Sequence, residues 1–209
     1  EAMSRHDDLT NLTTGERPRA DHPAFFRVFD FAGSVGMPVI LHHNIAAISR
    51  NDEPRAPEYL PEILSAFAEF PITTFIWSHA GISRRIIVDN LRGILDSVLD
   101  EHGYHVYIGL SWVVYEDYVA KDLDAWVELI ERHPDNFVIG SDIVGRYAGY
   151  AATVRRYDEL LALLEPDVAE KVGRTNLLSI IPEDGIRLDP GYVYPQEAYT
   201  RGESPGRSP

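Results

Sequence analysis

The side chains able to do chemistry in this 209-residue chain recur in one place, directly after short apolar runs. Four such runs end in Leu41-His42-His43-Asn44, Trp77-Ser78-His79-Ala80-Gly81, Leu110-Ser111-Trp112 and Gly140-Ser141-Asp142. Three of these four ends carry His or Asp, and three of the chain's eight histidines stand there. Neutral imidazoles and a carboxylate on one rim make a donor set suited to a divalent cation such as Zn²⁺. Such an ion activates water, and a carboxylate beside it accepts the proton. Taken singly, each residue has a plainer explanation: a strand-end His is more often a hydrogen-bonded structural residue, and an Asp there is often a turn residue. The repetition over successive ends is what points to a site.

The elements that must hold these ends alternate. Pro23 fits a helix's first turn, followed by Phe25, Val28, Phe29, Ala32 and Val35 at helical spacing, with Gly36 ending the run. Pro38–His42 reads as a buried strand. A second helix carries Leu60, Ile63, Leu64 and Phe67 and stops before Pro71, and a strand follows over Thr73–Trp77. Ser83 is the expected cap of a third helix bearing Ile87, Leu91, Ile94, Leu95 and Val98. Val106–Leu110 is a third strand, Val119, Leu123, Trp126 and Ile130 mark a fourth helix, and Phe137–Gly140 is a fourth strand. Val154, Tyr157, Leu161 and Leu164 form a fifth helix, and Pro166 opens a sixth. Strand alternating with helix and no hairpin signal means α/β with a parallel sheet. The strands start roughly 30–37 residues apart, and eight such units would make about 260 residues, the usual size of a (β/α)₈ barrel. Periodicity alone leaves half a barrel and a small doubly wound sheet both open.

Composition narrows the partners. Nineteen basic against 33 acidic residues give a net charge of −14 and a mean hydropathy of −0.19. An acidic surface repels phosphate backbones and anionic lipid, so neither nucleic acid nor membrane is an expected partner. No run approaches the ~20 apolar residues of a membrane helix. The absence of cysteine excludes a disulfide scaffold, thiol catalysis and Cys-bound zinc. The chain opens on Glu1 and shows no basic-then-apolar leader over residues 1–23, which suggests a processed chain or a fragment, with a cytoplasmic location as the default. From Pro182 onward, five Pro and four Gly in 28 residues mark a low-complexity tail.

Several segments together resemble the amidohydrolase superfamily: His22-Pro23-Ala24-Phe25-Phe26 before a helix, Gly36-Met37-Pro38-Val39-Ile40-Leu41-His42, Phe75-Ile76-Trp77-Ser78-His79-Ala80-Gly81 and Phe137-Val138-Ile139-Gly140-Ser141-Asp142. The nearest likeness is to its amidohydrolase-related branch of metal-dependent hydrolases and non-oxidative decarboxylases of aromatic acids. The resemblance covers residues 22–181, in the order of barrel strands five to eight. It implies a (β/α)₈ TIM-barrel type of which only about strands 5–8 and their helices are present, with residues 1–21 as a loop leading into the barrel helix and 182–209 as the tail. It also implies roles. His42 would be the strand-five metal ligand, with His43, its competitor, on the opposite face. His79 would be a second ligand or would polarise substrate or water. Asp142 would bind metal and accept a proton. The cofactor implied is a divalent metal ion, Zn²⁺ first.

The chain departs from that family in one respect. The His-x-His pair of strand one occurs nowhere in it, and His6 in the opening segment is a poor substitute. Metal affinity would then be reduced, and an open half-barrel would expose two strand edges. A homo-oligomer or a missing N-terminal half would be needed to complete it. Trp112 and Tyr115 are expected to wall a pocket for a small-molecule substrate, and Arg146 to hold a substrate carboxylate. Arg84 and Arg85 begin the third helix beside His79, and Asn176 reads as structural. Gly109-Leu110-Ser111-Trp112-Val113 lacks the second glycine of a nucleophile elbow, and zincin, P-loop and dinucleotide motifs are absent. The expected activity is metal-dependent hydrolysis at an amide, ester or lactone carbonyl. Non-oxidative decarboxylation of an aromatic acid and a non-catalytic binding fragment are the alternatives.

Overall fold

The computed structural model describes residues 2–6, 15, 17–143 and 147–181. Five short strands form one sheet: β1 (Ala2–Ser4), β2 (Val39–His43), β3 (Phe75–Ser78), β4 (Val106–Leu110) and β5 (Phe137–Ile139). All neighbours are parallel, and the order across the sheet is the order along the chain. A doubly wound sheet reverses its strand order at a switch point. This one does not, so the choice that periodicity left open falls to the barrel type.

Pleating sorts the strand side chains onto two faces. Leu41 of β2 stands beside Trp77 of β3, which stands beside Ile108 of β4, which stands beside Phe137 of β5. These residues, with Val39, Phe75 and Val106, face the helices and are buried. The alternate set, Ile40, Ile76, Tyr107 and Val138, lies on the other face. There Ile76, Tyr107 and Val138 form a separate small cluster with Ile180, and Ile40 is 46% exposed.

Helices α1 (Pro23–Ser34), α2 (Leu60–Glu69), α3 (Leu91–His102) and α4 (Leu123–Arg132) link the strands. Each lays its apolar stripe on the first face: Phe29 and Ala32, then Ile63, Ala66 and Phe67, then Leu95, Val98 and Leu99, then Trp126, Leu129 and Ile130. Burying one large apolar side chain contributes about 1.5–3 kcal/mol, so this layer dominates the stability. Short helices α5 (Tyr150–Val154), α6 (Asp158–Leu163), α7 (Pro166–Glu170) and α8 (Asn176–Ile180) follow β5. Asn176 is buried and donates to Pro134 O and Phe137 O, 2.9 Å each. It pins α8 to the start of β5, the structural role its type suggests. No helix among the described residues is long and apolar enough to cross a membrane.

Two expectations are corrected. Residues 2–4 are not loop: they pair with β2 in the register Ala2↔Leu41 and make a fifth strand. Three residues carry no readable period, and a neighbouring strand supplies what the local sequence lacks. The third helix begins at Leu91 after the left-handed Asn90, not near Ser83. Ser83 is buried, and the segment after it instead bonds the loop that follows β2: Ser49 N donates to Arg85 O, and Ile87 N donates to Ser49 Oγ. Arg84 and Arg85 therefore lie in a loop, where the Arg84 guanidinium sits 5.0 Å from the Trp112 ring centroid.

Candidate metal centre

Alternation along β2 separates its two histidines. His43 points to the helix side and is fully buried. Its Nε2 is 2.9 Å from Tyr59 O, a pure acceptor, so Nε2 carries the proton. Its Nδ1 then accepts from Ser4 Oγ at 2.8 Å. Burial pushes the His43 imidazole down to about 4, and burial also lowers His105. Both side chains are therefore neutral in the fold and take up protons when it opens. Stability is complete above about pH 6.5, the ordinary histidine value, and falls as pH drops toward 4. His43 alone contributes on the order of 3 kcal/mol over that window. Urea melts between pH 7 and 4 are expected to show this loss, and His43→Gln should make the fall shallower without abolishing it, because His42 and His105 are lowered as well.

His42 lies on the other face and is 4% exposed. Its ring centroid is 5.3 Å from that of His79, at the end of β3, and 4.6 Å from that of His6, just past β1. Burial first, then the neighbouring His79 and His6, push it down to about 3. His42 is thus an unprotonated lone-pair donor, and its Nε2 is buried without a hydrogen-bond partner. Leaving such an atom unmet costs about 1–3 kcal/mol. His79 Nδ1 is 2.8 Å from Ser111 Oγ, at the end of β4, and His79 Nε2 is 3.8 Å from Asp142 Oδ2, past β5. The donors form a chain of close approaches, not a closed tripod. Among the described residues, three ligand atoms all within 4.8 Å of one another occur at Asp96, Asp100 and His133 on the outer helices. There Asp96 is already engaged by His133 at 2.8 Å and by Arg132 at 2.5 Å.

Backbone turns aim these groups. The residue leaving the strand has positive φ at Arg5 (47°) after β1 and at His79 (55°) after β3. Trp112 (55°) and Asp142 (48°) repeat the pattern two and three residues past β4 and β5. Ala80 and Gly81 continue the left-handed path after His79. Each non-glycine in that region costs on the order of 1–2 kcal/mol, held here by packing: Ala80 and Ile82 are buried, and Ile82 N donates to His79 O at 2.9 Å.

Trp112 and Tyr115 line a cavity of about 160 Å³ with Asp142, Thr153, Arg156 and Tyr157. Asp142 and His79 also border a second, about 290 Å³, floored by Ile40, Ile76 and Val138. Asp142 is thus shared by both. Tyr157 OH reaches Leu110 O and, at 2.7 Å, Gly140 O, tying the ends of β4 and β5 together. Arg146 and the 182–209 tail lie outside the described residues.

The structure therefore brings His42, His79 and Asp142 to one end of the sheet, with Trp112 edge-on to His79 at 5.3 Å and Tyr115 bordering the Asp142 cavity. Sequence reasoning missed Ser111 as the partner of His79, although it stood at a recognised strand end. The orphaned, neutral, buried nitrogen of His42 and the carboxylate near His79 fit a divalent cation by donor chemistry.

No family model matches the chain, and no curated protein does. Among solved structures it is similar to an uncharacterized TIM-barrel protein from Bordetella bronchiseptica, at 18% identity over 80% of this chain and 53% of that one, with a TM-score of 0.54. It is also similar to an amidohydrolase II (20% identity, 77% and 56% covered, TM-score 0.45) and to 2,6-dihydroxybenzoate decarboxylase from Rhizobium (12% identity, 82% and 59%, TM-score 0.45). The chain spans little more than half the length of these structures. The five consecutive parallel strands and their helices are part of a TIM barrel.

Proposed function

We propose that the chain is the C-terminal portion of a metal-dependent hydrolase of the amidohydrolase-related type, acting on an amide, ester or lactone carbonyl of a small molecule. In this reading β1–β5 are barrel strands four to eight, and ligands from the rest of the barrel complete the site. The observation that carries it is the buried, partnerless Nε2 of His42, at the same end of the sheet as His79 and Asp142. His42 Nε2, His79 Nε2 and Asp142 Oδ2 would hold the cation. When bound there, Zn²⁺ or a similar ion supplies a Lewis acid and lowers the pKa of water to about 7. Asp142, through its other carboxylate oxygen, would take the proton from the attacking water and return it to the leaving group. Ser111 fixes the His79 ring through Nδ1, so that Nε2 stays directed at Asp142. The walls at Trp112, Tyr115 and Ile40 position the substrate and exclude bulk water.

Decarboxylation of an aromatic acid is the second reading, supported by Trp112 edge-on to His79, an aromatic wall suited to a flat ring. Asp142 or His79 would then move a proton to or from carbon. Release of carbon dioxide without ester or amide cleavage selects it.

The test is titration of the metal-free chain with Zn²⁺. Weak binding of one divalent ion is expected, because the ligands from the rest of the barrel are missing, and His42→Ala should weaken it at least about tenfold further. A wild-type protein with no bound ion and a concentration-dependent oligomer would instead indicate a non-catalytic fragment binding through its open sheet.

A further inference from the structure

With 33 acidic residues against 19 basic ones, an arginine on this surface has carboxylates at hand, and Arg5, Arg92 and Arg156 take them, pairing with Glu62, Asp122 and Glu116. Arg84 does not. Among the described residues it makes no ion pair, and its guanidinium carbon lies instead over the Trp112 ring, 5.0 Å from the centroid. That indole meets the His79 ring at 5.3 Å and borders the cavity it shares with Asp142. A single indole therefore separates a cation from the groups at the ends of β3 and β5. The loop that carries the cation is fixed. Ile82, Ile86 and Val88 are buried. Ile82 N donates to His79 O at 2.9 Å, Ile86 N to Ser83 O at 3.1 Å and Val88 N to Tyr118 OH at 2.9 Å. Arg84 and Arg85 are displayed between these anchors, both exposed.

We propose that Arg84 is a specificity-determining residue that binds a carboxylate of the substrate, so that the site takes a small organic acid held by a carboxylate handle separate from its reacting carbon. This rests on the reading of the strand ends as the reacting centre. A guanidinium held by a ring face has no carboxylate on its N–H fork, and that fork is the bidentate partner for one. The charge balance asks for such a group. A net charge of −14 repels an anion approaching the site, and Asp142 repels it again at short range, so a cation at the mouth offsets both. A neutral substrate would make no use of it. Trp112 supplies the flat wall along which the body of the acid lies between handle and reacting end.

The experiment titrates benzoate, and separately the neutral benzamide, into the metal-free 209-residue chain, so that no bound ion can account for a preference. The indole N–H of Trp112 is followed by NMR, with the buried Trp77 and Trp126 as internal references. Wild type is expected to bind benzoate at least about tenfold more tightly than benzamide. Arg84→Met keeps an unbranched stem against the ring but removes the charge, and it should abolish the preference. Arg84→Lys should keep part of it, and Arg85→Met all of it, with melting temperatures unchanged throughout. If wild type shows no preference, or Arg84→Met retains it, Arg84 only packs on Trp112 and the inference fails. If Arg85→Met loses as much as Arg84→Met, the effect is one of general charge and the inference fails likewise. Zn²⁺ titration of the same samples separates the two readings. Zn²⁺ binding without a benzoate preference removes the handle alone, whereas a preference through Arg84 without Zn²⁺ binding leaves the anion site standing and overturns the proposed function.

Discussion

Asp142→Asn is expected to lower turnover of amide, ester or lactone substrates by about 10²–10⁴-fold, the usual contribution of a positioned general base, while the melting temperature stays at the wild-type value. The two halves of that expectation have separate physical grounds. Asn keeps the shape of Asp and tolerates the left-handed backbone, φ 48°, that Asp142 adopts. The carboxylate is partly exposed, and His79 Nε2 lies 3.8 Å from its Oδ2. Surface changes of this kind stay within about 0.5 kcal/mol. An amide oxygen, however, is too weakly basic to take the proton of an attacking water. Steady-state turnover of the metal-loaded enzyme and a thermal melt of the same sample read the two effects side by side. Undiminished turnover would remove Asp142 from the chemistry.

The largest expected loss of stability follows Gly81→Ala, about 2–5 kcal/mol in urea denaturation. Gly81 has φ +73°, and a Cβ there would meet Ile45 Cγ2 at 2.5 Å, Trp77 Cζ2 at 2.6 Å and His43 O at 2.9 Å. The left-handed backbone accounts for about 1–2 kcal/mol and the overpacking for about 1–3 kcal/mol. None of the three atoms yields cheaply. Trp77 is fully buried and donates from Nε1 to that same His43 carbonyl at 3.0 Å. Because Gly81 closes the turn that begins at His79, the variant should also weaken cation binding, although residue 81 contributes no donor. A loss below about 0.5 kcal/mol would mean that the turn adjusts freely and that the placement of His79 does not depend on it.

Much of this architecture is legible in the residues. The runs at β2 to β5 are mostly apolar, three to five residues long and bounded by Pro, Gly or polar turns, so chain alternation suffices to find them and to place His42 opposite His43. What escapes depends on contacts between distant segments. Ala2–Ser4 has no pattern of its own and becomes a strand only beside Leu41–His43. Ser83 has the composition of a helix cap, yet it is spent inside a loop, and the helix begins after Asn90. The left-handed residues His79, Trp112 and Asp142 are not glycines, so composition carries no sign of their backbone conformation. The pairing of His79 with Ser111 joins residues 32 apart, through neighbouring strands. Strand identity was local information, whereas site geometry was not.

The most direct test of the central claim, that the strand ends of this sheet form a cation site, is anomalous diffraction from crystals of the chain grown with Zn²⁺. A peak bounded by His42 Nε2, His79 and Asp142 is the predicted result. A peak confined to Asp96, Asp100 and His133, or none at the strand ends with Zn²⁺ in excess, would contradict it.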